Sequence, residues 1–170
     1  MEVPVLMYHQ FEEKGGNNSE AMMTITAAHF ELQLKMLKLL GYTTITFRDL
    51  EKIGLKNRFK KKYIILTADD GYENNYEYMF PLLVKHNMKA VIYLAPGLDH
   101  ISFDAKNHGE RKLPLMHESQ VRELIKSGLV EIGSHTLTHA NLPIVSNAER
   151  VNEIRGSKEF LERKYGIKVT

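Results

Sequence analysis

The sequence contains no cysteine. Disulfides are excluded, and so is a thiolate metal site, while the compartment stays open. Charge of one sign is lacking too: 23 basic residues stand against 21 acidic ones, a net charge of +2. That balance gives no support to nucleic acid or an anionic membrane as a partner. No apolar run approaches membrane-spanning length. The opening "MEVPVLMYHQF" lacks a basic segment followed by a long apolar one and does not read as a signal peptide. No Gly-rich phosphate loop follows an apolar run, which removes support for a Rossmann or P-loop reading. Internal repeats and low-complexity tracts are also missing. What the chain has is 170 residues with 43% hydrophobic content, enough for one domain with a sizeable core.

Strand-like and helix-like stretches alternate. "VPVLMYH" (3–9), "YTTITF" (42–47), "YIILTA" (63–68), "KAVIYLA" (89–95) and "LVEIGSH" (129–135) read as strands, and "IKVT" (167–170) as the start of a sixth. Polar residues 10–25 read as a loop. Thr26 can cap a helix with apolar positions at Phe30, Leu34, Leu37 and Leu40, ended by Gly41. A short helix follows at 48–55. Another runs from the third strand to about His86, with Pro81 either kinking it or opening its main part. Residues 96–117 read as a long loop. A helix at 118–127 stops at Gly128, and Ser146 with Glu149 forms a capping box for a helix reaching about Tyr165. This alternation predicts an α/β fold with a parallel sheet. A (β/α) barrel is favoured because polar residues recur where strands finish, and such ends converge on one face.

Three of those strand ends carry the chemistry. "TADDG" (67–71) places Asp69 and Asp70 side by side, and "SHTLTH" (134–139) places His135 and His139 on one short loop. Neighbours on a strand normally point apart, but a strand end turning through Gly71 lets both carboxylates face one cavity. Two imidazoles and a carboxylate form a ligand set for a zinc-like ion with an open position for water. The spare carboxylate can then act as a base. Read separately, each string has a plain alternative: an Asp-Gly turn with a capping acid, and a surface histidine pair. Their joint placement after apolar strands favours the metal. Ser134, Thr136 and Thr138 offer hydroxyls that can orient ligands. His9 ends the first strand, where it is either a packed residue or a proton donor to a leaving amine. His29, His86, His100, His108 and His117 show no ligand-like spacing. The basic run "KNRFKKK" (56–62) reads as a solvated connector. Tyr42, Tyr63, Tyr72, Tyr76, Tyr78 and Tyr93 suit sugar stacking or core packing alike.

"LTADDGY" followed by "EIGSHTLTH" resembles the polysaccharide deacetylases of the NodB-homology type, carbohydrate esterase family four. The family's motifs are Thr-Phe-Asp-Asp-Gly and His-Ser/Thr-x-x-His. "PVLMYHQF" and "FELQLKMLKLLGYTTITFRDL" resemble its circularly permuted branch, which includes de-N-acetylases of poly-N-acetylglucosamine. The resemblance implies a distorted (β/α) barrel with fewer than eight strands. It implies Asp69 as general base and Asp70, His135 and His139 as metal ligands. His9 would stand in for the acid histidine. The implied metal is divalent, Zn²⁺ first, with Co²⁺, Ni²⁺ or Mn²⁺ also suited. The implied substrate is a glycan such as poly-N-acetylglucosamine, peptidoglycan or chitin, and the implied setting is the cell envelope or outside the cytoplasm. A glycan- or metal-binding fragment without turnover is the alternative. Ala68 stands where the family usually has Phe. The family's third motif, an aromatic-Pro-aromatic stretch, and the later motif that orients the base do not occur. Residues 1–170 therefore read as one such domain lacking its C-terminal part, an incomplete barrel with exposed apolar strand edges.

Overall fold

A computed structural model describes residues 3–14, 23–54, 61–105 and 109–170, with the backbone alone for 101–112. The elements run β1 (Val5–Tyr8), β2 (Gln10–Glu12), β3 (Thr24–Thr26), α1 (Ala27–Leu39), β4 (Tyr42–Thr44), α2 (Phe47–Ile53), β5 (Lys62–Ala68), α3 (Phe80–His86), β6 (Ala90–Leu94), β7 (His100–Ala105), β8 (Gly109–Pro114), α4 (Glu118–Ser127), β9 (Val130–Ser134), α5 (Asn147–Val151) and α6 (Ser157–Tyr165). Single π-helical turns, Asn75–Met79 and Asn152–Gly156, lead into α3 and α6.

The main sheet is parallel, with order β1-β5-β6-β9 and β4 paired to the first half of β5. Alternation along β5 and β6 splits the core between two faces. Ile64, Leu66, Ala68, Ala90, Ile92 and Leu94 face the helices, where Phe30, Leu34, Leu83, Leu124 and Leu161 are buried. Ile65 and Val91 face the other side with Ile45 and α2. This is the (β/α) arrangement without closure among the described residues. The outer edge of β1 has no strand partner there, and Val5, Leu6 and Met7 are 48%, 37% and 65% exposed, the apolar edge expected of an open barrel.

The helix signals hold locally. Thr26 Oγ1 accepts the His29 N–H at 3.2 Å, and Gly41 takes φ +79° after the last turn of α1. The Ser146–Glu149 capping box forms as read, with Gly128 and Gly166 at positive φ past α4 and α6. Pro81 opens α3 rather than kinking it. The wider π turn before it ends with the Phe80 N–H bonded to Asn75 O, so the missing proline donor falls at a helix start.

Four readings are corrected. Residues 10–25 include β2 and the start of β3, which pair in parallel from Gln10↔Thr24 to Glu12↔Thr26. Residues 96–117 include the antiparallel hairpin β7–β8. Leu40 is exposed, because α1 ends before the stripe does. "IKVT" joins no ladder; instead Val169 is buried, its N–H donating to Glu162 Oε1 at 3.0 Å. Most of the 56–62 run, and His108, lie outside the described residues.

Candidate metal centre

The last rung between β1 and β5 places the first carboxylate. The Asp69 N–H donates to Tyr8 O at 3.0 Å, one residue past the end of β5. The chain then turns through two successive left-handed residues, Asp70 at φ +74° and Gly71 at φ +76°. That conformation is uncommon for a residue with a Cβ, though aspartate tolerates it better than most. It breaks the strand's alternation and lets neighbouring carboxylates share one site. A Cβ on Gly71 would lie 2.4 Å from Leu94 Cδ2, so the turn also packs closely on β6. Ala68 is fully buried on the helix-packed face.

The histidines come from the end of β9. The His135 N–H donates to Leu94 O at 2.8 Å, extending the β6–β9 ladder by one bond. The loop beyond takes positive φ at Thr136 (+65°) and His139 (+56°). The Gly97 N–H meets Leu137 O at 2.7 Å, and a Cβ on Gly97 would stand 2.5 Å from that oxygen. Gly133 leaves room for the Tyr93 ring, which a Cβ there would meet at 2.4 Å. Two of the three expected hydroxyls bond away from the imidazoles: Ser134 Oγ donates to Ser157 Oγ at 2.8 Å, and Thr138 Oγ1 donates to Glu153 Oε1 at 2.7 Å.

Asp70, His135 and His139 meet. Both Nε2 atoms lie 3.2 Å from Asp70 Oδ1, and one ligand atom from each residue falls within 4.8 Å of the other two. Asp70 is 4% exposed, yet its Oδ1 finds no partner in hydrogen-bond geometry. A buried carboxylate oxygen so placed is costly unless something fills the space between the three groups. Tetrahedral zinc, with bonds of about 2.0–2.1 Å, separates its ligand atoms by about 3.3 Å. The donor set and its spacing therefore fit a divalent ion.

Electrostatics separate the two carboxylates. Burial pushes the Asp69 carboxyl up, against the opposing pull of His135 and His9. Burial works the same way on Asp70, but the neighbouring His135, Tyr72 and His139 outweigh it and hold Asp70 below its ordinary value. One carboxylate is thus kept charged while the other binds a proton more readily, a division typical of sites that do acid–base work. His9 Nε2 lies 3.9 Å from Asp69 Oδ2, on the opposite side from the histidine pair's loop in sequence but at the same sheet end.

Residues not anticipated complete the frame. The buried Asn75 donates from Nδ2 to His9 O at 2.7 Å, and Asn74 Oδ1 accepts the Phe11 N–H at 3.1 Å. This pair ties the helix after the Asp-Asp turn to the backbone around His9. Two adjacent asparagines in a helical stretch are a weak sign of such local bonding, since asparagine favours other conformations. Glu153, inside a stretch read simply as helix, had no such sign. The remaining described histidines lie elsewhere: His29 is exposed in the first turn of α1, His86 bonds to Glu31 at 3.0 Å, His100 pairs with Asp99, and His117 lies 3.8 Å from Glu73. Of the six tyrosines suited to sugar stacking, Tyr42, Tyr63, Tyr76, Tyr78 and Tyr93 pack as partly buried residues against one of the two main core clusters, while Tyr72 is buried with Leu113 and Leu115.

Comparison with known proteins follows the same lines. The sequence model of the polysaccharide deacetylase family matches residues 56–170. A poly-beta-1,6-N-acetyl-D-glucosamine N-deacetylase of Staphylococcus aureus is 23% identical over 150 residues, covering 84% of this chain and 50% of that protein. The crystal structure of a polysaccharide deacetylase from Bacillus cereus superposes with a TM-score of 0.79 at 33% identity, covering 99% of this chain and 49% of that one. A de-N-acetylase from Aggregatibacter actinomycetemcomitans shares the fold, with a TM-score of 0.76 at 24% identity over 98% of this chain and 76% of that one. The chain spans about half the length of the curated relatives it matches. On the match across its larger part, the chain belongs to the polysaccharide deacetylase family.

Proposed function

We propose that the protein is a metal-dependent hydrolase that removes N-acetyl groups from an aminosugar polymer of the poly-N-acetylglucosamine kind. The observation that carries this reading is the Asp70 oxygen, buried and unbonded between two imidazole nitrogens, with Asp69 and His9 beside it. Asp70, His135 and His139 would hold the ion, with Zn²⁺ best suited to the set. A bound divalent ion supplies Lewis acidity and a water that ionises near neutral pH. Asp69, not needed as a ligand, takes the proton of the attacking water. His9 gives a proton to the nitrogen, so the sugar leaves as a neutral amine. The proposed setting is the cell envelope or outside the cytoplasm, a reading supported by the polymeric glycan in the relatives' names. Acetate release from an N-acetylglucosamine oligomer after zinc loading tests the proposal. Release by the intact protein supports it; metal binding without acetate leaves the alternative of a glycan-binding or inactive member.

The proton-donor role makes a selective prediction. His9→Gln lowers acetate release from the oligomer by about 10²–10⁴-fold. It spares 4-nitrophenyl acetate, whose leaving group needs no proton. Equal loss on both substrates would assign His9 a structural part instead. A second prediction concerns a residue with no reactive atom. In Gly97→Ala the added Cβ meets the Leu137 carbonyl, which is backbone and cannot swing away. The histidine loop shifts, and zinc affinity in a chelator competition falls by about 10–100-fold, as for other groups that orient ligands. Unchanged affinity would show that the loop has slack.

A further inference from the structure

We propose that Glu153 is the positioning residue that holds the His135–His139 loop in ligand geometry, an inference that rests on the metal-site reading above. Two of the three candidate ligands sit at the ends of this loop. Its backbone takes the left-handed region at Thr136 and His139, which residues with a Cβ adopt only when their surroundings compel it. Glu153 supplies the compulsion. Its Oε2 accepts the N–H groups of both Leu137 and Thr138 at 2.8 Å, and its Oε1 accepts the Thr138 hydroxyl at 2.7 Å. The two residues held are the ones directly between Thr136 and His139. From the other side the Gly97 N–H bonds the Leu137 carbonyl, so the Leu137 peptide is gripped at both ends.

The carboxylate comes from outside the loop. It stands on the π turn Asn152–Gly156, and Glu153 is only 8% exposed. The neighbouring helix is fixed to the end of β9 by the Ser134–Ser157 hydroxyl contact. A buried carboxylate demands donors, and charge-assisted bonds to backbone N–H groups are among the strong ones. In this conformation the loop's donors and the carboxylate satisfy each other. Glu153 does not touch the candidate ion site; it acts through the backbone that carries His135 and His139.

The test is a Co²⁺ titration of the metal-free intact protein, read by the visible d–d bands, alongside apo melting temperature. Glu153→Gln keeps all three contacts: its amide oxygen accepts both N–H groups and its amide nitrogen donates to the Thr138 hydroxyl. It retains the wild-type spectrum and affinity. Glu153→Leu leaves both N–H groups unpaired, and cobalt affinity drops by about 10-fold or more with altered bands. Leu34→Ala, a fully buried core change on α1, lowers melting temperature without changing the bands. Should the leucine variant not fold, Glu153→Asp, one methylene too short, carries the same expectation of weakened binding. A folded Glu153→Leu or Glu153→Asp with wild-type bands and affinity overturns the inference, as does equal cobalt loss in Leu34→Ala. Wild-type protein that binds no cobalt overturns the metal-site reading itself.

Discussion

Asp69→Asn is expected to cut acetate release from an N-acetylglucosamine oligomer by about 10²–10⁴-fold while leaving the metal bound. The amide keeps the shape and cannot take the water's proton. Asp70, His135 and His139 are untouched, so zinc content by elemental analysis stays near one ion per chain if those residues form the ligand set. The same substitution has an opposite effect on stability. Burial raises the Asp69 pKa in the fold, so the folded protein prefers the protonated form. A raised carboxyl contributes fully below its unfolded value, about 3.9, and that contribution is lost as pH climbs through the folded value. At neutral pH the ionised Asp69 is therefore a burden, and metal-free Asp69→Asn melts higher than metal-free wild type. The gain shrinks toward zero below the ordinary carboxylate range, where both proteins are uncharged at this position. Lower activity with a higher melting point is the signature of a group kept for chemistry rather than for folding. Lower activity with a lower melting point would make Asp69 structural.

The site was legible because its residues sit where strong sequence signals end. "YIILTA" and "LVEIGS" are apolar, β-branched runs that identify β5 and β9, and a parallel sheet brings their ends together whatever lies between. The capping residues Thr26 and Ser146 were equally readable, since their bonds reach only three residues ahead. What escaped was set by partners distant in sequence or by pieces too short to show a period. β2 and β3 have three residues each and exist by pairing with each other across the segment between them. The β7–β8 hairpin is fixed by cross-strand register, with His100 opposite Pro114; β7 alternates polar and apolar residues from His100 to Ala105, but β8, with Glu110, Arg111 and Lys112 in a row, carries no matching pattern to announce a partner. "IKVT" has the composition of a strand, but Val169 is buried with its N–H bonded to Glu162, which needs no ladder. Glu153 looked like an ordinary helical glutamate; only the fold shows that its partners are the N–H groups sixteen and fifteen residues before it. The positive φ at Asp70 and His139 was invisible too, because neither residue type demands it.

That backbone conformation decides which variant tests the ligand set cleanly. Asp70→Ala would combine two losses, since alanine at φ +74° is strained and the turn itself would shift. Asparagine tolerates the left-handed region about as well as aspartate. Asp70→Asn therefore keeps the turn and changes only the charge and one ligating oxygen. The expected result is a folded protein whose zinc affinity falls by more than the roughly 10–100-fold that orienting groups carry, and whose acetate release is lost with the metal. The metal-free variant loses stability at neutral pH as well. Asp70 is held below its ordinary pKa, with burial opposing and the His135, Tyr72 and His139 neighbours prevailing. A depressed carboxyl contributes stability above its unfolded value and loses it as pH falls through the folded one. Wild type and Asp70→Asn should thus differ at pH 7 and converge in strong acid. The contrast with Asp69→Asn is the discriminating feature: adjacent isosteric changes, one sparing metal and raising the apo melting point, the other losing metal and lowering it. If both variants kept zinc, or both lost it, the division between base and ligand would collapse. The two carboxylates would then have to be treated as one shared ligand pair, with some other group taking the proton from water.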